Sequence, residues 1–139
     1  MPTLTVWALR IALSYLGIGF TLGALMLAAR GGNGPSSLLS LRPLHAEILL
    51  IGWTVQLAFA VAYWILPRTP GGGRASPPLA WAALLLLNAG VLMVGIGAVL
   101  DLPRNILVAG RLAELLAALA FAVHAWPRAR AYSARNPLP

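Results

Sequence analysis

The chain has 139 residues, of which 60% are hydrophobic and 9% are charged, and its formal net charge is +7. A soluble domain carries roughly 25% charged residues, so this composition excludes an ordinary soluble fold and favours a membrane protein. The basic residues are all arginines, and most of them stand at the ends of apolar segments, which indicates membrane topology rather than nucleic-acid binding. The chain has no cysteine, which excludes disulfides, thiolate metal sites and thiol catalysis.

Four long apolar segments follow one another along the chain, at about 5–29, 44–66, 79–101 and 106–126. Each matches the roughly 20 residues that cross a bilayer as a helix. The connections are short, which predicts that successive helices lie antiparallel. We therefore predict an all-α membrane protein, a four-transmembrane-helix up-down-up-down bundle. Residues 1–126 form its single domain, and residues 127–139 form a basic cytoplasmic tail.

The arginines outside the apolar segments predict the orientation. The side of the 68–78 loop and the tail carries five of them, and the opposite side carries three, one of which has Asp101 beside it. Cytoplasmic loops are enriched in basic residues, so both termini are predicted to be cytoplasmic, in a multi-pass protein of the cell inner (plasma) membrane. The five are Arg68, Arg74, Arg128, Arg130 and Arg135, and the three are Arg30, Arg42 and Arg104.

The second segment carries a line of polar and small residues. At 100° per residue, His45, Gly52, Gln56 and Tyr63 fall within about 20° of one line, whereas Glu47 lies on the opposite side. Such a line can accept a flat ligand, with the glycine admitting the ligand plane and the imidazole binding a metal. Alternatively, His45 is an interfacial histidine that binds nothing, since it lies only about one turn inside the segment.

The stretch from Arg42 to Trp53, Arg-Pro-Leu-His-Ala-Glu-Ile-Leu-Leu-Ile-Gly-Trp, continues to the closing Leu-Pro-Arg at 66–68. It resembles the second helix of subunit I of haem-copper oxidases and nitric oxide reductases, over about 27 residues. In that family the helix carries an axial histidine ligand of the low-spin haem, and His45 is the matching position. The resemblance thus implies haem b as a cofactor, with its iron bound by His45.

The family's catalytic core has about a dozen helices and a copper site with three histidines, whereas this chain has two histidines in all. The resemblance therefore implies a haem protein that is not an oxygen reductase by itself. For the second axial bond, Met26 at the end of the first helix is one option, and a second His45 in a homodimer is another. Met26 can equally be a filler of apolar space. His124, at the far end of the fourth helix, is expected to be an interfacial residue.

Two intramembrane charges remain in the fourth helix. Arg111 and Glu114 stand three residues apart and can pair with one another. Alternatively, Arg111 and Arg42 neutralise haem propionates, because guanidinium matches carboxylate geometry, and Glu114 orients Arg111 or serves a proton route.

The sequence thus predicts a haem-binding membrane protein for electron transfer or for sensing a redox partner or gas. The predicted ligand set is His45, Met26, Gly52, Gln56, Arg42, Arg111 and Glu114, with His45 on the metal. We expect a homodimer in contact with membrane lipid and a respiratory-chain component as the redox partner. Nothing indicates nucleic-acid binding or a stand-alone enzyme. The alternative is a small structural or assembly subunit of a larger respiratory complex without its own cofactor, and a transporter fragment has less support.

Overall fold

The computed structural model describes residues 1–69 and 72–135, with side chains described up to residue 129, and every regular element in these ranges is helical. Helix α1 is Thr3–Arg30. A continuous helical segment, Ser36–Ile65, follows and is here called the second span. The remaining helices are α4 (Pro77–Val99) and α5 (Arg104–Arg135). The second span consists of a 3-10 helix (Ser36–Leu41), helix α2 (Arg42–Glu47), a π-helix (Ile48–Val55) and helix α3 (Gln56–Ile65).

The prediction of four long apolar helices is confirmed. Within the described ranges, four helical segments are long and apolar enough to cross a membrane: Thr3–Arg30, Ser36–Ile65, Pro77–Val99 and Arg104–Ala129. Many of their large apolar side chains are exposed, as a surface facing lipid would be. Examples are Leu13, Phe20, Leu27, Leu50, Leu85 and Val123.

Two helix boundaries differ from the prediction. The second span begins eight residues before position 44, because Ser36–Leu41 already forms a 3-10 helix that leads into α2. Pro43 occupies the first turn of α2, where its missing amide hydrogen is not needed. Helix α5 continues through Pro127 to Arg135, so the first part of the predicted tail is helical. Pro127 lacks the N–H for one helical hydrogen bond, but the φ angle of proline is compatible with a helix, and α5 continues past it.

The predicted polar line of the second span faces α1. Thr5 Oγ1 lies 3.5 Å from the Ala60 carbonyl oxygen, and the Gln56 side-chain amide donates to the Ala8 carbonyl at 3.1 Å. At the other end, His45 lies against the α1 backbone at Gly19. Along these three contacts, residue numbers rise in α1 and fall in the second span.

Helices α4 and α5 approach each other closely through two glycines. A Cβ atom added at Gly90 would lie 2.8 Å from the Gly110 carbonyl oxygen, and one added at Gly110 would lie 3.2 Å from the Gly90 carbonyl oxygen. Small residues permit such contact between membrane helices. The connection is a short turn in which Asp101 has a φ of 52° and Leu102 donates to the Gly97 carbonyl at 2.8 Å.

The buried core lies mostly toward one end of the four helices. Its members come from α1, α3, α4 and α5, and the Phe59 and Phe121 rings stack with centroids 4.1 Å apart. The buried residues of this cluster are Leu4, Ala8, Ala60, Tyr63, Ala80, Ala83, Leu84 and Phe121. Packing is thinner toward the other end, which is where the candidate site lies.

Candidate functional site

His45 is a half-buried side chain of α2 whose ring packs on the backbone of α1. Its Nδ1 lies 2.9 Å from the Gly19 carbonyl oxygen. Because a carbonyl oxygen only accepts, Nδ1 must carry the hydrogen, which leaves the lone pair of Nε2 available. A Cβ atom added at Gly23 would lie 2.9 Å from His45 Cε1, so the glycine makes room for the ring. Gly19 and Gly23 thus hold and make room for the imidazole.

A cavity of about 170 Å³ opens beside this imidazole, and we call it the His45 cavity. Two other predicted site residues, Met26 and Arg42, line it together with His45, and so does Arg30, which ends α1. A histidine, a methionine and two arginines therefore line one cavity. Its lining residues are Gly23, Met26, Leu27, Arg30, Leu39, Arg42 and His45.

Arg30 was not among the predicted site residues. The sequence did contain a signal for Arg30, which ends the first helix on the same side as His45. A long side chain at a helix end can reach the end of the neighbouring helix.

Gly52 and Gln56 are covered by α1. A Cβ atom added at Gly52 would lie 2.9 Å from Tyr15 Cδ2, so the ring against this glycine belongs to the protein itself. Gln56 Oε1 accepts from Asn88 Nδ2 at 2.8 Å, and the Tyr15 hydroxyl donates to Asn88 Oδ1 at 3.0 Å. In the structure these residues connect three helices and do not line the His45 cavity; their predicted contact with a ligand stays a prediction.

Arg111 and Glu114 lie on the other side of the second span. The Arg111 guanidinium donates to both Glu47 oxygens, at 3.0 and 2.7 Å, and its Nη1 also donates to Glu114 Oε2 at 2.8 Å. The pairing of Arg111 with Glu114 is the one predicted from their spacing, and Glu47 adds a carboxylate that the spacing did not include. Neither residue lines the His45 cavity.

His124 lies beside Arg128, and both side chains are buried. The interfacial position expected for His124 stays a prediction. His124 Nδ1 lies 3.0 Å from the Ser76 carbonyl oxygen, and Arg128 Nη1 lies 3.3 Å from His124 Nε2. The ring also stacks on Tyr63, near the end of the second span farthest from His45. Both ring nitrogens are thus engaged in contacts that hold helix ends together.

The residues around the His45 cavity fit part of the chemistry that haem requires. Among the described residues no group of three His, Asp or Glu side chains could hold a metal ion. One imidazole suffices only when a macrocycle supplies most of the other bonds, as haem does. An imidazole that binds a metal generally donates its other ring hydrogen to a carbonyl or carboxylate, as His45 does to Gly19.

The size of the His45 cavity fits haem only in part. Sites for molecules of this size generally measure about 300–1,000 Å³, compared with about 170 Å³ here. A haem bound there would therefore extend beyond the cavity.

Comparison of the chain with protein-family models, curated proteins and solved structures found no match.

Proposed function

We propose that this chain is a multi-pass protein of the cell inner (plasma) membrane that binds haem b at the His45 cavity, for electron transfer or for sensing a redox partner or gas. The observation that carries the proposal is the contact between His45 Nδ1 and the Gly19 carbonyl, which leaves Nε2 free beside Met26 and two arginines. The resemblance of the second span to the haem-bearing helix of haem-copper oxidases supports the same assignment.

The membrane part of the proposal is a four-helix up-down-up-down bundle with both termini in the cytoplasm. Its support is the length and apolar character of the four helices and the exposure of their large apolar side chains. The contacts between α1 and the second span involve rising residue numbers in one and falling numbers in the other, which supports the alternating up and down direction of the helices. The larger number of arginines on the side of the 68–78 loop supports the orientation.

The residues of the His45 cavity would have different roles in binding the cofactor. His45 would bind the iron through Nε2, with the Gly19 carbonyl fixing its tautomer and ring orientation. Arg30 and Arg42 are the groups that would neutralise the two propionates, because guanidinium pairs with carboxylate through parallel hydrogen bonds. When bound, haem supplies one-electron chemistry and a site for small gases.

Two residues could supply a second bond to the iron. Met26 lines the same cavity as His45, and ligation by a thioether together with an imidazole raises the reduction potential of haem. In a homodimer, His45 of a second copy would supply this bond instead.

The experiment is an optical spectrum of the protein purified in detergent from a haem-replete host, in oxidised and reduced forms. We expect a haem spectrum that is lost in His45→Ala and partly restored by added imidazole, which replaces the missing ligand. The matched control is His124→Gln, which keeps a donor and an acceptor for Ser76 and Arg128 and should retain the spectrum. A colourless protein after addition of haem, or an unchanged spectrum in His45→Ala, would refute the proposal.

Two variants test the other residues of the cavity. Met26→Leu keeps the apolar volume but removes the sulfur. We expect a lower reduction potential if Met26 binds the iron and an unchanged reduction potential if it does not. Arg42→Gln removes one of the two cations and should weaken haem retention. A colourless preparation that co-purifies with a larger respiratory complex would instead favour a structural or assembly subunit.

A further inference from the structure

A cluster of three charged side chains lies across the second span from the His45 cavity. Glu47 is 5% exposed, and the Glu114 side chain is 10% exposed, so both carboxyl groups are about nine-tenths buried or more. Arg111 lies between them and donates to both. We call these three residues the Arg111 cluster.

The charges of the Arg111 cluster do not balance when both carboxyl groups are ionised. One guanidinium against two carboxylates leaves a net charge of −1 in an apolar surrounding. Helix α4, which packs against the cluster at Gly90 and Gly95, contains no ionisable residue that could compensate. An uncompensated buried charge is costly, and a buried carboxyl group relieves that cost by binding a proton.

The hydrogen bonds of Glu114 point to the same conclusion. Arg111 Nη1 reaches Oε2 of Glu114, whereas Oε1 is buried and has no hydrogen-bond partner. Both oxygens of Glu47, in contrast, accept from Arg111 in a two-pronged ion pair. The arginine therefore neutralises Glu47 more completely than Glu114.

The two carboxyl groups are neighbours, because Arg111 Nη1 donates both to Glu47 Oε1, at 3.0 Å, and to Glu114 Oε2, at 2.8 Å. Two ionised carboxylates this close repel each other, whereas a carboxyl group that holds a proton carries no charge. One proton shared by the two groups would leave one guanidinium opposite one carboxylate, so the cluster would have no net charge.

We propose that the Arg111 cluster is a proton-binding site whose two carboxyl groups share one proton per chain. Arg111 is half exposed, and with Glu47 it borders a cavity of about 450 Å³ that reaches the protein surface. This opening gives the proton a way to exchange with water at that end of the helices. The site needs no haem, so this proposal stands or falls separately from the proposed function.

Carbon-13 NMR of the full chain in detergent tests the proposal directly. Labelling of the glutamate side-chain carboxyl carbons reports on Glu47 and Glu114 alone, since the chain has no other glutamate. At pH 7 we expect one resonance at the position of a carboxylic acid and one at that of a carboxylate. Glu114→Gln should remove the carboxylic acid resonance and leave the carboxylate resonance in place.

A second variant keeps the test valid if Glu114→Gln does not fold. In Glu47→Gln the guanidinium has only one carboxylate to neutralise, so the one remaining resonance should lie at the carboxylate position. The matched control, Asp101→Asn, replaces an exposed acid and should change neither resonance. Two carboxylate resonances in the unsubstituted protein, or a carboxylic acid resonance that survives Glu114→Gln, would overturn the proposal.

Discussion

Replacement of Arg128 by alanine should destabilise the protein more than any substitution of an exposed arginine. Arg128 is fully buried near the end of α5. Its Nε donates to the Pro67 carbonyl at 3.0 Å, and its Nη2 donates to the carbonyls of Tyr63, at 2.9 Å, and Leu66. These carbonyls lie at the C-terminal end of α3, where backbone acceptors have no partner in the helix and where a cation is favourable.

The magnitude follows from those three hydrogen bonds. Bonds to a charged group contribute roughly 1.5–3 kcal/mol each. Three of them at the lower figure give about 4.5 kcal/mol. The alanine variant no longer has to bury a cation, which offsets part of this loss. We expect Arg128→Ala to lower the free energy of unfolding by about 3 kcal/mol. Arg128→Lys should be intermediate, because an ammonium group keeps the charge but lacks the planar fork.

The assay is reversible unfolding in mixed detergent micelles, followed by circular dichroism. Arg68→Ala is the matched control, since it removes an exposed arginine from the connection after the second span and should change the free energy by less than about 0.5 kcal/mol. Equal stability of the Arg128→Ala and Arg68→Ala proteins would refute the reasoning, because it would mean that water satisfies those carbonyls as well as the guanidinium does.

Two further substitutions test the contacts between helices in the same assay. Asn88→Leu should cost about 1–2 kcal/mol, because it leaves the buried Gln56 oxygen without its donor; an unchanged midpoint would contradict this. Gly90→Ala should cost about 1–3 kcal/mol, because its Cβ would lie 2.8 Å from the Gly110 carbonyl oxygen. The control Gly17→Ala meets no atom within 4 Å and should be neutral or slightly stabilising, and an equal effect of the two glycine substitutions would exclude close helix contact as the cause.

The four helices could be predicted from the sequence because their signal is simple: each apolar run is as long as a bilayer is thick. The ends of the helices were less certain, since proline marks a helix end only on average. Pro43 lies in the first turn of α2, as predicted, whereas Pro127 lies inside α5. The amide hydrogen that proline lacks is not needed in the first turn of a helix, at Pro43, but is needed inside a helix, at Pro127. The local sequence does not show which of the two cases applies.

The candidate site could be predicted in part. His45, Met26 and Arg42 were expected at the same end of two adjacent helices, and the His45 cavity brings them together. Helical periodicity also correctly separated the side of His45 from that of Glu47. Periodicity does not tell what covers a face, and so the protein's own Tyr15 ring lies where a ligand plane against Gly52 was predicted.

The burial of Arg128 was the largest feature that the sequence analysis missed. Arginine is rarely fully buried, and positions after Pro127 were interpreted as a tail. A signal was present in the spacing: His124 and Arg128 are four residues apart and therefore lie on one face of a helix. The acceptors for Arg128 come from the connection after α3, which a pattern confined to one helix cannot include.

The π-helix links the two sites, because it begins directly after the residues on which both depend. His45 and Glu47 end α2 and point to opposite sides, toward α1 and α5, and the π-helix starts at Ile48. A π-helix has more residues per turn than an α-helix, so its extent sets the rotation of α2 relative to α3. Because His45 and Glu47 both belong to α2, such a rotation would move the imidazole and the Glu47 carboxylate together relative to α3, which is held by Gln56 and by Arg128.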